Sequence, residues 1–336
     1  MRLGHWRAQW TLWSRWAQLA RWACAAGLVG MAATPWAWAQ NKPEATTDCP
    51  APIPELTAEV LQAAQANARD RGMLWRLQRD GHVSHLFGTV HVGRLEWLLP
   101  GPQVRDALRV SDALAVEVDI SDPATVAAFM AALAPAPALP KALQARVEQV
   151  AKQECADGQA LQNLPPLLQA STLELLAARR DGFETALAQE RVLTGAARSS
   201  GLPVHSLESA ALQAMALTPP QPGAGERLLK RSLDDLQAGH SRPVMVRMAS
   251  AWERGDLADL AAFPAWCRCL QNDEDRALFK RLNDDRNPHL ASRIAALHGQ
   301  GQRVFAAVGI LHMTGPHALP ALLEREGFVV ERVQPD

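Results

Sequence analysis

Two short stretches of this chain place a histidine in the same local setting. HLFGTVHVG, residues 85 to 93, carries Gly88-x-x-His91. AAVGILHMTG, residues 306 to 315, carries Gly309-x-x-His312. Imidazole is the commonest metal ligand and a versatile acid or base near neutral pH. A glycine three residues earlier lets another group approach the backbone closely or lets the chain take an unusual turn. One Gly-x-x-His is a weak signal, and a lone histidine at a strand end is ordinarily a satisfied or solvated side chain. Two in matching surroundings point to a shared site.

Three further segments carry groups such a site could use. Glu117 lies in ALAVEVDI, on the face that strand alternation gives to Ala113, Ala115 and Asp119. Small alanines beside it suit a covered face, and a covered carboxylate needs a cation or a metal. Glu208 in PVHSLESA stands where a short strand gives way to a helix, where the helix dipole also favours an acid. Arg286 and Asn287 in DDRNPHLASRI lie in a helical run before Pro288. The arginine could hold a carboxylate or a developing oxyanion. The plain alternatives are a solvated strand face, a helix-terminal acid and an ordinary charged surface helix. His82, His85, His205, His240, His289, His298 and His317 lack comparable context. No Walker loop, dinucleotide-binding glycine fingerprint, Gly-x-Ser-x-Gly elbow or His-Glu-x-x-His helix occurs, so no nucleotide cofactor is expected.

The elements that must position these residues follow from pattern. Residues 57 to 70 read as a helix capped by Thr57. Asp80-Gly81 between two apolar runs predicts a hairpin of strands 73–79 and 82–90. A helix from 101 shows Val104, Ala107 and Leu108 on one face. Strands follow at 113–120 and 202–207, and VFAAVGI is another. A helix starting at Pro316 shows Leu319, Leu322 and Leu323 on one face and ends at Gly327, and FVVERV is the last strand. Residues 123 to 200 and 225 to 299 are helical and broken by prolines and Gly239. Strand, Gly-x-x-His, helix and strand thus occur twice, over about 83–120 and 303–333. The fold class is mixed α/β. Its centre is a mixed sheet built from two related halves (about 70–122 and 303–334), with a helical insertion over about 123–300. If the halves pack side by side, His91 and His312 face one another at a strand edge, where open α/β sheets bind ligands.

Composition narrows the rest. The chain has 336 residues. Residues 1–39 hold four arginines, no acid, a short apolar run and the small-x-small triplet ending at Ala39. That order predicts a signal peptide cleaved after Ala39, an extended leader over 40–54 and a single domain over 55–336. The apolar run is too short to span a bilayer, and no other segment could. With the leader gone, 30 basic residues face 35 acidic ones. That balance argues against nucleic acid as a partner. A periplasmic or secreted location is expected. Cys49, Cys155, Cys267 and Cys269 then suggest disulfides, with three possible pairings. Cys267 and Cys269 look too close in sequence to bridge to each other. Zinc at these cysteines is disfavoured by the absence of Cys-x-x-Cys pairs.

The segments HLFGTVHVG, SDALAVEVDI, LPVHSLES, DDRNPHLASRI and AVGILHMTGPHALPALLEREGFVVERV resemble the TraB/GumN family, over about residues 70 to 334. Its relatives include the PrgY pheromone-shutdown proteins and the Tiki metalloproteases. Within the family, the likeness is to the exported GumN-like branch. Asp285 stands where relatives often have Glu, and His317-Ala318 replaces a more usual Asp-Gly. The resemblance implies a mixed α/β fold with both Gly-x-x-His motifs lining one cleft, accompanied by Glu117, Glu208, Arg286 and Asn287. It also implies metal-dependent peptide hydrolysis, with manganese or cobalt favoured and zinc admissible.

Taken together, these observations lead to an exported metal-dependent hydrolase acting on a peptide or protein. His91 and His312 would hold the ion with Glu117 or Glu208, and the other glutamate would serve as base. Two other readings stand beside it. One is a non-catalytic module that sequesters a peptide or small ligand. The other is a metal-independent, esterase-like hydrolase with His91 as base.

Overall fold

A computed structural model describes residues 49–133 and 138–334. The expected signal peptide with Ala39, and residues 40–48 of the leader, lie outside the described residues.

The chain begins its sheet with a hairpin, β1 (Met73–Arg79) and β2 (His82–Thr89). Asp80 and Gly81 join them with φ of 52° and 80°, the pair of positive values that a two-residue type I′ turn requires. Four more strands follow: β3 (Ala113–Val116), β4 (Val204–Ser206), β5 (Val304–Gly309) and β6 (Val329–Val333). They form one mixed sheet in the order β4-β3-β5-β2-β1-β6. β5 runs parallel to β2, with Gly88 beside Val308 and Thr89 beside Gly309. It also runs parallel to β3 on its other side. β1 is antiparallel to both β2 and β6.

The two expected halves therefore interleave. The connection from β2 leads past β5 to β3, and the connection from β5 leads the opposite way, past β2 and β1, to β6. Right-handed crossovers that leave neighbouring strands in opposite directions put their helices on opposite faces. They open a crevice at the carboxyl ends of those strands. Here that crevice lies between β2 and β5, directly above the two Gly-x-x-His motifs.

β5 is the middle of the molecule, with Val304 to Val308 fully buried. It packs in one core cluster with Leu86 and Phe87 of β2, Val104, Ala107 and Leu108 of the helix Pro102–Arg109, and Leu319 and Leu323 of the helix Leu319–Arg325. The helical region between the halves has a smaller cluster of its own around Val147, Leu173, Leu229 and Leu233. Among the described residues no helix is long and apolar enough to cross a membrane.

Several local expectations change. The strand expected over 113–120 ends at Val116, and all four of its residues are buried. It lies between β4 and β5 with both faces covered, so alternation has no solvent side to report. Ile120, the last residue of the expected strand, is exposed. The first helix covers only Ala58–Ala66, with Thr57 accepting from the Val60 N–H at its start. The helix expected from Pro316 begins at Leu319, with Pro320 in its first turn. Arg286 and Asn287 are not inside a helical run. They open the helix Asn287–Gly299, whose second residue is Pro288, a first-turn place where proline's missing N–H is harmless.

The cysteines pair as Cys49–Cys155 and Cys267–Cys269. The second pair corrects the expectation that neighbours one residue apart would avoid each other. Arg268 between them adopts φ 59°, and that left-handed turn brings the two Cα atoms to 5.1 Å. Such a separation is ordinary for a disulfide.

Candidate functional site

Four parallel strands end side by side, and each delivers one candidate residue just past its last pair. His91 follows β2, Glu117 follows β3, Glu208 follows β4 and His312 follows β5. The ladder between β3 and β4 continues one step into the site, because the Leu207 N–H donates to Val116 O and the Glu208 N–H to Glu117 O. His289 anchors the same segment through its Nε2, 3.2 Å from Leu207 O.

The motif glycines serve close approach. A Cβ on Gly88 would lie 2.2 Å from the Ile310 side chain, and one on Gly309 would lie 3.2 Å from the Glu117 carboxylate. The Gly309 N–H donates to Glu117 Oε1 at 2.8 Å. The glycine of the second motif thus orients the glutamate of the first half.

Arg286 is the hub. Its Nε donates to both oxygens of Glu208 at 3.1 Å. Its Nη2 donates to Glu117 and to Glu208. Its Nη1 donates to Leu282 O at 2.9 Å and lies 3.2 Å from His312 Nε2. Glu208 is 3% exposed and Glu117 and Arg286 12%. One guanidinium fork thus holds two carboxylates out of water, the arrangement in which arginine outperforms lysine. Burial alone would push the Glu117 pKa up. The charge of Arg286, with that of His91 and the Gly309 N–H dipole behind it, outweighs that and holds it well below the usual carboxylate range. Arg286 is correspondingly held above its ordinary value despite burial.

His312 sits on the 3-10 turn Ile310–Met313 and is buried. Asn287, fully buried at the start of its helix, donates from Nδ2 to His317 O at 2.7 Å and to His312 O at 3.3 Å. Its Oδ1 therefore faces His312 Nδ1, 2.5 Å away. An amide oxygen only accepts, so Nδ1 carries the proton and Nε2 presents its lone pair to the cluster. Burial, and then the Arg286 charge against the opposing pull of Glu117, lower the His312 pKa to about 4. The ring is neutral at neutral pH.

His91 is different. Its side chain is 69% exposed, and its Nδ1 lies 3.1 Å from Glu190 Oε1. The Glu190 carboxylate raises its pKa to about 9, with Glu117 adding to the effect. His91 is a cation at neutral pH. Thr89 donates to Glu190 Oε1 at 2.5 Å, so the end of β2 and the helix Gln189–Ser199 fix the carboxylate between them. Sequence reasoning missed Glu190. As the second residue of a helix it reads as an acid favoured by the dipole, and nothing in its spacing marks it.

All eight residues expected from the sequence thus gather at one end of the sheet. The donor types suit manganese or cobalt, and a histidine pinned through Nδ1 is a usual way to present Nε2 to a metal. The arrangement is otherwise. The Arg286 guanidinium stands where an ion would sit, between Glu117 and Glu208. His312 Nε2 and Glu117 Oε1 are 3.9 Å apart, with that arginine touching both residues. Among the described residues no group of three or more His, Cys, Asp or Glu side chains converges to hold a metal ion. As placed, these residues do not fit a divalent ion.

A profile of the TraB/PrgY/gumN family matches residues 73–332, and the chain belongs to that family. It is 26% identical over 254 residues to the uncharacterized protein YbaP of Shigella flexneri, which covers 71% of this chain and 87% of that protein. No solved structure matches.

Proposed function

We propose that the chain is an exported hydrolase of peptides, working at the crevice between β2 and β5. The observation that carries this reading is a pair of imidazoles at one end of the sheet in opposite surroundings: His91 lies 3.1 Å from the Glu190 carboxylate, which favours its cation, and His312 is buried between Asn287 and the Arg286 guanidinium, which favour its neutral form. Groups whose surroundings push their pKa values apart supply an acid and a base at one pH. His312 Nε2 takes the proton of the attacking water once substrate displaces its contact with Arg286. His91 gives a proton to the leaving amine. Arg286 keeps Glu117 ionised, holds Glu208 by hydrogen bonds and lies close to the charge that develops on the carbonyl oxygen. This reverses the expected role of His91 in a metal-free site, from base to acid.

A peptide is favoured by the flanks. The helix Pro123–Ala132 leaves the site after Glu117, and the helix Ala210–Ala216 leaves it after Glu208. The two pack on each other and expose Val126, Met130, Leu212 and Met215. A run of bare apolar side chains beside a charged crevice suits an extended chain with apolar residues.

A metal-dependent version of the same hydrolase is the second reading, supported by the Asn287–His312 pairing and by the family. It requires Arg286 to withdraw from the carboxylates.

The test is cleavage of a peptide library by the mature protein, with and without exhaustive chelation, beside His312→Gln. Chelation-insensitive cleavage that His312→Gln lowers at least a hundredfold supports the acid–base reading. Cleavage abolished by chelation and restored by Mn²⁺ or Co²⁺ replaces it with the metal reading. Saturable peptide binding with no cleavage in any condition overturns both and leaves a sequestering protein.

A further inference from the structure

Beyond the crevice, at the same end of the sheet, the residues before β1 and after His91 line a half-open cavity of about 420 Å³. Its lining includes Arg69, Arg71 and Arg94, with Trp97, Glu96 and Glu253. The place is set by the hairpin. Met73 at the start of β1 pairs with Gly88 near the end of β2, so Arg71 emerges next to the first Gly-x-x-His motif. Arg94 comes three residues after His91, which keeps the two backbones within about 10 Å.

The cations here are incompletely answered. Arg69 Nη2, Arg71 Nε and Trp97 Nε1 all donate to a single oxygen, Oε1 of Glu253, at 3.1, 3.3 and 3.2 Å. Arg71 is 8% exposed, and its one other hydrogen bond among the described residues is a long one, 3.4 Å to Asn67 O. Arg94 donates through Nη2 to Asp181 O at 3.2 Å and lies 4.1 Å from the centre of the Phe183 ring. Its Nε is buried with no partner among the described residues. Burial, and then the neighbouring Arg69, lower the Arg71 pKa, the response of a cation short of counter-charge.

Three guanidinium groups against two carboxylates leave one positive charge in the cavity. That charge matches a monoanion better than a dianionic phosphate. A guanidinium fork is complementary to a planar carboxylate. Trp97, with Ala66 and Ala68 on the same lining, offers an apolar wall for the chain that carries it.

We propose that this cavity binds the C-terminal carboxylate of a peptide and so presents bonds near that terminus to His91. The proposal rests on the peptide-hydrolase reading for its substrate, but the pocket can be tested without catalysis. It assigns the chain a preference for peptides with a free C-terminus, which nothing in the His91–His312 crevice itself would supply.

The experiment is equilibrium binding, by calorimetry, of acetyl-Ala-Ala-Ala with a free carboxylate and of the same peptide as its C-terminal amide. Wild-type protein, Arg94→Gln and Arg69→Gln are compared, with inorganic phosphate as competitor. Arg69 is 69% exposed at its side chain, so its replacement leaves folding intact even if Arg94→Gln does not. The expected result is at least tenfold tighter binding of the free acid than of the amide by wild type. That ratio falls toward one in both variants, amide affinity is unchanged, and millimolar phosphate displaces nothing. Equal affinity for acid and amide overturns the proposal, and so does a ratio that survives in Arg69→Gln. Displacement of the acid by phosphate at comparable concentration overturns the carboxylate assignment. Failure of the protein to cleave any peptide would remove the hydrolase reading while leaving this binding ratio to be read as it stands.

Discussion

Asn287 Oδ1 and His312 Nδ1 lie 2.5 Å apart, both residues being buried, and this contact sets which nitrogen of His312 faces the crevice. Asn287 is held in turn by two backbone carbonyls, so its amide cannot turn over without losing both. Asn287→Ala leaves His312 Nδ1, His312 O and His317 O without their Asn287 partner, the first two of them buried. It is expected to lower stability by about 2–4 kcal/mol and to abolish whatever activity His312 supports. Asn287→Asp offers His312 a carboxylate instead. It is expected to raise the His312 pKa from about 4 toward or above the ordinary imidazole value. NMR titration of the His312 ring reads that change directly, and an unmoved titration would show that the contact does not form in solution.

Glu190→Gln is expected to lower the His91 pKa from about 9 toward the ordinary value near 6.5. In the wild type His91 stays protonated through neutral pH and loses its proton only above about 9. In the variant the loss moves to near neutrality, so an activity that depends on His91 as an acid declines at a lower pH. A pH–rate profile of the two proteins checks this, and coincident alkaline limbs would exclude His91 as the acid.

Arg286→Ala removes the one cation shared by Glu117 and Glu208. Breaking a buried ion pair from one side leaves uncompensated charge, at about 3–5 kcal/mol. The triple variant Arg286→Leu, Glu117→Gln, Glu208→Gln removes the uncompensated charge and is expected to regain most of the lost stability without activity. Urea denaturation of the single and triple variants separates structural from chemical roles. Equal instability in both would show that the charges were not the cause.

His85, on β2, has a buried Nδ1 with no partner among the described residues. Burial, and then Arg76, lower its pKa to about 4. A histidine with a lower pKa folded than unfolded binds its proton more readily when unfolded. Stability is therefore expected to fall as pH drops below about 6.5 and to level off near 4, by about 2–3 kcal/mol for this residue. His85→Leu should flatten that part of the stability profile without touching the crevice. An unchanged slope between pH 6.5 and 4 would place the acid sensitivity elsewhere, His312 being the other histidine depressed to that value.

Much of the site was legible because it is written twice. Gly88-x-x-His91 and Gly309-x-x-His312 gave the strand edge, and the Asp80-Gly81 turn gave the hairpin behind it. Glu117, Glu208, Arg286 and Asn287 carried types that suit such an edge, and all arrive there. What the sequence hid depends on neighbours distant along the chain. β3 looked like an alternating strand because its second covered face comes from elements far away in sequence. Glu190 looked like an ordinary first-turn acid because its partner lies a hundred residues upstream. Arg286 as the hub of two carboxylates could not be seen from spacing, and it is what separates this arrangement from the metal centre the donor types implied. The Cys267–Cys269 bridge turned on one backbone angle at Arg268.

The position of β5 also governs how the molecule must come together. It is the most buried strand, yet nearly everything else precedes it in the chain. Its contacts with β2 span more than 200 residues, as from His85 to Phe305. Closing so long a loop comes before its reward, which makes folding slow. Until β5 inserts, β2 and β3 each lack a neighbour, and neither His312 nor Arg286 has its crevice. The crevice between β2 and β5 therefore stays unformed until nearly the whole chain is present, and it closes late in assembly.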